Sequence, residues 1–322
     1  MSTEAIERTR SGEFKTRVKI HGYAGLIIII GAEIALFTGN QLVGRWFTPI
    51  VWTGYILFVD ALVFRIKSHS LLVNDRREFL VVAIVSIAGW WLFEFYNAPR
   101  FWLSNVELWW HYHNLEPNQF LRRAGYDWAF ATITPAMLET AELLDATLLR
   151  NVKPRRAVRL TMGHLIAFVV SGCLAALLPL LVISAWLVPL VWLSWILLLD
   201  PVNALRGQAS ITNDLASGDY RRLLSLLVGG GICGVLWEFW NYWAITKWTY
   251  TVPYLGEIKI FEMPVLGYLG FPPFAIECWA MYIFCRSLLG GTSAEKPETH
   301  NGSFLYGRLR GLGQGGSLKL HG

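Results

Sequence analysis

The sequence has few charged residues and few cysteines, and it lacks the common catalytic motifs. Only 16% of its 322 residues are charged, whereas a soluble domain carries about 25%. Its four cysteines form no C-x-x-C pair, so a zinc site is not indicated. A glycine-rich phosphate loop, an H-E-x-x-H helix and a G-x-S-x-G elbow are also missing. These absences argue against the enzyme classes that such motifs define, and we expect neither a metal nor a cofactor.

The chain has long apolar stretches instead. Hydrophobic residues make up 54% of it, and several runs approach the roughly 20 residues that cross a bilayer. We place eight spans, near residues 20–40, 47–66, 79–98, 128–149, 160–182, 186–204, 223–246 and 265–286. The prediction is an all-α membrane protein with about eight transmembrane helices.

Lysine and arginine are concentrated in every second loop. They cluster in the N-terminal segment and in the loops after the second, fourth and sixth spans. The positive-inside rule then predicts a multi-pass plasma-membrane protein with both termini in the cytoplasm. Because these basic residues lie between spans, the net charge of +5 does not indicate a nucleic-acid partner.

Two parts of the chain resemble each other and indicate a duplication. PIVWTGYILFVD (Pro49–Asp60) matches PLVWLSWILLLD (Pro189–Asp200) without a gap, with six of twelve positions identical. An E-F-x-N motif and a P-x-x-x-E motif then follow in each copy, in the same order. Four spans per copy is an even number, which predicts parallel repeats. The expected units are a cytoplasmic segment (1–19), a four-span repeat (20–149), a basic cytoplasmic linker (150–159), a second four-span repeat (160–289) and a disordered cytoplasmic tail (290–322).

The shared motifs put ionisable groups inside predicted spans. The candidate catalytic residues are the glutamates of these motifs, Glu94, Glu139, Glu238 and Glu277. A carboxylate near the middle of a membrane helix costs about 2.5–3.5 kcal/mol, and such groups are functional by default. Asn97 and Asn241 each lie three residues after a glutamate, on the same helix face, where the amide can hydrogen-bond to the carboxyl group. The alternative is that these polar groups only hold helices together.

Two further acids recur near the ends of the second and sixth spans, Asp60 and Asp200. A structural role, such as pairing with a loop arginine, is the favoured interpretation for both.

Sixteen tryptophans are more than core packing requires. Some are expected to lie at the membrane interface. Others surround the glutamates and form, with the two asparagines, the candidate ligand-binding set: Trp90, Trp91, Trp237, Trp240, Trp243 and Tyr242. An aromatic cage keeps an acid protonated and stabilises a passing cation. Acid-initiated cyclisation of an isoprenoid needs both properties. The same aromatic cage would also suit a site that binds a sterol-like or polyprenyl ligand without any chemistry.

The segment from Trp237 to Phe271 resembles the small membrane-embedded lycopene cyclases. The resemblance lies in an acid-plus-aromatic span end (Trp237, Glu238, Tyr242), a W-x-Y element (Trp248, Tyr250), and a carboxylate next to a proline (Glu262, Pro264). It implies two similar multi-span halves and acid-initiated cyclisation without redox chemistry. The family has adjacent carboxylates after the proline, whereas this chain has valine there. Only Glu262 therefore carries over from that motif.

We interpret the protein as a membrane enzyme of cyclase or isomerase type that acts on a lipid or isoprenoid. A proton-coupled transporter or permease and a non-catalytic membrane scaffold are the alternatives. The expected partners are membrane lipids or an isoprenoid ligand, and no nucleic acid. His111 and His113, in a long outer loop, are more typical of a surface role than of a metal site.

Overall fold

The computed structural model describes residues 17–98 and 107–290. The predicted tail (290–322), except its first residue, lies outside the described residues. So does most of the predicted N-terminal segment (1–19).

Within the described ranges the chain is mainly helical. The long helices are α1 (Ile20–Phe37), α2 (Phe47–Lys67), α3 (Arg76–Asn97), α4 (Gln119–Ala146), α5 (Met162–Leu181), α6 (Val188–Leu205), α7 (Arg221–Trp243) and α8 (Phe271–Leu288). Short helices occupy Gln41–Arg45, Leu71–Asn74, Ala185–Leu187, Ile211–Ser217 and Val265–Gly270. Strand β1 (Trp110–His113) pairs antiparallel with β2 (Lys247–Tyr250), and β3 (Lys259–Ile260) pairs with β4 (Met263–Pro264).

Six of the long helices are long and apolar enough to cross a membrane: α1, α2, α3, α5, α6 with the short helix before it, and α7. Their outer faces are covered with exposed aliphatic side chains. Ile27 on α1 is 71% exposed, and Leu174 on α5 is 64% exposed. So much exposed apolar surface would be unfavourable in water, whereas contact with lipid chains is favourable for it. The chain is therefore an all-α, multi-pass membrane protein.

Helices α4 and α8 are less apolar because they occupy the centre of the bundle. Helix α4 packs against α2, α3 and α7, and α8 packs against α6, α7 and α3. Every residue of 132–142 in α4 and of 274–283 in α8 is buried. Since their neighbours are other helices rather than lipid, these two helices can carry polar side chains that find partners inside the protein.

Helices α1 and α5 lie at the periphery, α1 on α2 and α5 on α6. Glycine permits both close approaches. A Cβ atom at Gly25 would lie 2.4 Å from the carbonyl oxygen of Gly54, and one at Gly172 would lie 2.5 Å from the amide nitrogen of Leu198. Neither site has room for a side chain.

Candidate functional site

Strands β1 and β2 bring two W-x-Y sequences together. Each tryptophan lies opposite the tyrosine of the other strand, since Trp110 pairs with Tyr250 and Tyr112 pairs with Trp248. Residues two apart in a strand point to the same side. The four aromatic side chains accordingly line one cavity.

Two buried asparagines hold these strands against the helix ends. The Asn97 oxygen accepts hydrogen bonds from the amides of Trp109 (2.9 Å) and Trp110 (3.2 Å), and its nitrogen donates to the Trp110 carbonyl (2.8 Å). Asn241 makes the corresponding bonds to the amide and carbonyl of Trp248, at 2.9 and 2.8 Å. The predicted glutamate contact is thus not the main use of these amides. Both asparagines lie where a helix ends and the following chain passes close by.

The Glu94 carboxylate accepts three hydrogen bonds on one oxygen. The donors are the indole nitrogens of Trp90 (2.8 Å) and Trp110 (3.1 Å) and the hydroxyl of Tyr112 (2.5 Å). Burial, together with the neighbouring carboxylate, raises the pKa of Tyr112 well above its ordinary value. The hydroxyl therefore stays protonated and acts as the donor.

Glu238 has the corresponding contact in the other half of the bundle. It is fully buried, and its Oε1 accepts from the Tyr250 hydroxyl at 2.7 Å. The Trp248 indole in turn donates to that hydroxyl at 2.6 Å. Burial and the adjacent carboxylate raise the pKa of Tyr250 as well. Both glutamates thus accept a hydrogen bond from a tyrosine that lines the cavity.

The cavity has a volume of about 430 Å³, within the range of about 300–1,000 Å³ that is common for ligand sites. It lies where α2, α4, α6 and α8 begin and where α3 and α7 end. Its walls are mainly apolar and include eight tryptophans, Trp46, Trp52, Trp90, Trp109, Trp110, Trp192, Trp237 and Trp248. The geometry suits an apolar ligand surrounded by aromatic faces.

Of the six predicted ligand-binding aromatic residues, two line the cavity and four do not. Trp90 and Trp237 line the cavity. The indole of Trp91 donates to Asp127 at 2.7 Å, and that of Trp240 donates to Glu33 in α1 at 2.9 Å. These two rings lie outside the cavity lining.

The other two predicted aromatic residues, Tyr242 and Trp243, are 41% and 44% exposed and contact each other. They lie near the end of α7, beyond the cavity lining.

The other two candidate glutamates lie deeper in the bundle. Glu277 is fully buried, and its Oε1 accepts from the main-chain amide of Trp195 at 3.0 Å. Glu139 is also fully buried, next to Asp60 and Glu142. None of the four glutamates lines the cavity itself. Glu94 and Glu238 hydrogen-bond to tyrosines that line it, whereas Glu277 bonds to the main chain of Trp195 and Glu139 lies among other acids.

Asp60 and Asp200 anchor the short helices that follow α2 and α6. Asp60 accepts from His21, from the Ser70 hydroxyl and from the Leu72 amide, each at 2.9 Å. Asp200 accepts from the Ile211 amide and from the amide and hydroxyl of Thr212, at 2.6 to 2.8 Å. Each carboxylate lies at the start of a short helix, where free amides stabilise negative charge.

Several residues of the cavity wall are absent from the predicted ligand-binding set. Tyr112 and Trp110 could have been found, because W-H-Y in the first half matches W-T-Y in the second. Trp52 and Trp192 are the tryptophans shared by the matching segments Pro49–Asp60 and Pro189–Asp200, and both line the cavity. Glu33, which accepts from the Trp240 indole outside the cavity lining, has a weaker signal: it is a single acid within the apolar run of α1.

No family model matches the chain, and no curated protein or solved structure matches it. Within residues 17–98 and 107–290, no three side chains are arranged to hold a metal ion. The interpretation of the cavity therefore depends on its own geometry.

Proposed function

We propose that the protein crosses the plasma membrane eight times, as two parallel four-helix repeats with both termini in the cytoplasm. Corresponding helix pairs pack together in the two halves: α1 on α2 and α5 on α6, α2 on α4 and α6 on α8, α3 on α4 and α7 on α8. The two aspartates, the two E-F-x-N motifs and the two W-x-Y strands also make corresponding contacts. The basic loops support the orientation.

Helices α4 and α8 are counted as spans in this proposal for a physical reason. At 1.5 Å per residue, α4 is about 42 Å long and α8 about 27 Å, close to or above the roughly 30 Å hydrocarbon core. Their lower hydropathy follows from their central position, where lipid does not contact most of their surface.

We further propose that the cavity binds an isoprenoid or similar apolar lipid and that the protein catalyses its cyclisation or isomerisation by proton transfer. One observation carries the proposal: Tyr112 and Tyr250 line the cavity, and the hydroxyl of each is hydrogen-bonded to a buried or half-buried glutamate. A protonated carboxyl group can pass a proton through its tyrosine to a double bond, and an ionised one can accept a proton by the same route.

Two such pairs provide what the reaction needs. One pair, Glu94–Tyr112 or Glu238–Tyr250, supplies the proton that generates a carbocation. The other removes a proton to form the product. Between these events the cation is surrounded by tryptophan faces, and each favourable ring contributes about 0.5–2 kcal/mol. The same carboxyl groups would serve a proton-coupled transporter, and a scaffold would use only the apolar walls.

Binding is tested by filling the cavity. Ala129 on α4 lines it, whereas Ala124 on the same helix is exposed. We expect mass spectrometry of the purified wild type and of Ala124→Phe to detect the same co-purifying apolar compound, and Ala129→Phe to lack it. Equal lipid content in all three proteins would refute ligand binding in the cavity.

Chemistry is tested with the compound so identified, incubated with the protein in D₂O. A proton-transfer enzyme incorporates deuterium into carbon positions of its substrate, whereas a transporter or scaffold does not. Glu238→Gln keeps an acceptor for Tyr250 but loses the proton, so we expect about 10²–10⁴-fold slower incorporation with unchanged binding. No deuterium in the wild-type reaction, or full activity of Glu238→Gln, would rule out the acid–base role.

A further inference from the structure

Among the cavity-lining residues that the structure describes, positive charge is confined to one cluster. Its charged lining residues are Arg45, Arg122 and Glu116, which lie together. An Arg45 terminal nitrogen is 3.1 Å from the Glu116 carboxylate, and the Arg122 Nε donates to the Glu116 carbonyl oxygen at 2.7 Å. Two guanidinium groups therefore converge on one acidic residue.

The charges in this cluster do not cancel. Hydrogen bonds from the Asn118 amide and from Arg45 hold the pKa of Glu116 below its usual range, so its carboxylate stays ionised. Two arginines and one carboxylate leave a net charge of +1. In addition, the Arg45 Nε is buried with no hydrogen-bond partner within residues 17–98 and 107–290. An unmet buried donor on a charged group is costly unless a ligand pairs with it.

Among the described residues of the second half, up to 290, no such cluster lines the cavity. The residue 140 positions after Arg45, the spacing of the duplicated segments, is Ala185. On that side the cavity is lined by Met263, Leu266 and Leu269. The cavity is thus cationic at one side and aliphatic at the other, although the W-x-Y strands between them are alike.

We propose that the ligand is amphipathic, with an anionic phosphate or carboxylate head between Arg45 and Arg122 and an apolar chain that extends between the tryptophans toward Leu266. Arginine suits such a head because its planar fork binds oxyanions with paired hydrogen bonds. This inference depends on the proposed binding of an apolar ligand and adds the head group.

Two probes with the same chain separate the two claims: farnesol and farnesyl phosphate. Their affinities are measured from tryptophan emission of the detergent-purified protein, with Ala129→Phe as the correction for probe in the micelle. We expect the wild type to bind farnesyl phosphate at least about tenfold more tightly than farnesol, as one charge-assisted contact is enough for this ratio.

The single variants Arg45→Gln and Arg122→Gln and the double variant should lose this preference and keep their farnesol affinity. Arg123→Gln is the matched control, since Arg123 neighbours Arg122 but lies over the ring of Trp91, outside the cavity lining. It should keep the full preference. Equal binding of both probes by the wild type, or a preference that survives in the double variant, would rule out the head-group site and leave the apolar site standing. Failure of both probes to bind the wild type overturns the apolar site itself.

Discussion

Replacing Asn97 with alanine tests whether this side chain holds strand β1 in the cavity wall. The amide makes three hydrogen bonds to the main chain of Trp109 and Trp110, and it is completely buried. Each buried group that loses its partner costs about 1–3 kcal/mol. We therefore expect Asn97→Ala to lower the free energy of unfolding by at least about 3 kcal/mol.

Asn241 provides an internal comparison. It makes two such bonds, to the amide and carbonyl of Trp248, so Asn241→Ala should cost at least about 2 kcal/mol. Gln41→Ala, at an exposed position, should stay within about 0.5 kcal/mol of the wild type. The expected order of destabilisation is therefore Asn97→Ala, then Asn241→Ala, then Gln41→Ala.

The assay combines thermal unfolding in detergent with hydrogen exchange of the strand amides. Loss of the Asn97 side chain should accelerate exchange at Trp110 and Tyr112 more than in the short helix Ile211–Ser217, which follows the end of α6 that is away from the cavity. Unfolding of Asn97→Ala at the wild-type temperature, with unchanged exchange in β1, would refute the assigned anchoring role.

Two further predictions concern helix packing and topology. Gly25→Ala should destabilise the protein by about 1–3 kcal/mol in thermal unfolding, because its Cβ would collide with the Gly54 carbonyl. Gly31→Ala is the control, and it should be neutral or slightly stabilising because a Cβ atom there has no neighbour within 4 Å. In a background without the native cysteines, Glu257→Cys should react with an impermeant thiol reagent added outside the cell and Lys153→Cys only after permeabilisation; the reverse pattern would invert the proposed orientation.

Much of the architecture could be predicted from local sequence. Long apolar runs identify membrane helices because a spanning helix must satisfy its backbone internally and its surface with lipid. The predicted spans near 20–40 and 79–98 correspond to α1 and α3, which begin at Ile20 and Arg76. The span near 128–149 was the least apolar, and its helix α4 begins earlier, at Gln119. Polar residues at the ends of a central helix weaken the hydropathy signal there.

The tertiary structure alone decided which of the polar and aromatic residues share a site. The repeated glutamates look equivalent in sequence, yet two bond to the cavity-lining Tyr112 and Tyr250, and two lie deeper in the bundle. Their spacing predicts that the asparagines bind the neighbouring glutamates, but their amides bind the chain that returns after the helix. Trp110 and Tyr250 are 140 residues apart and face each other across a strand pair. Hydropathy reports the local balance between lipid and water along one helix, whereas a cavity depends on contacts between distant segments that local sequence does not encode.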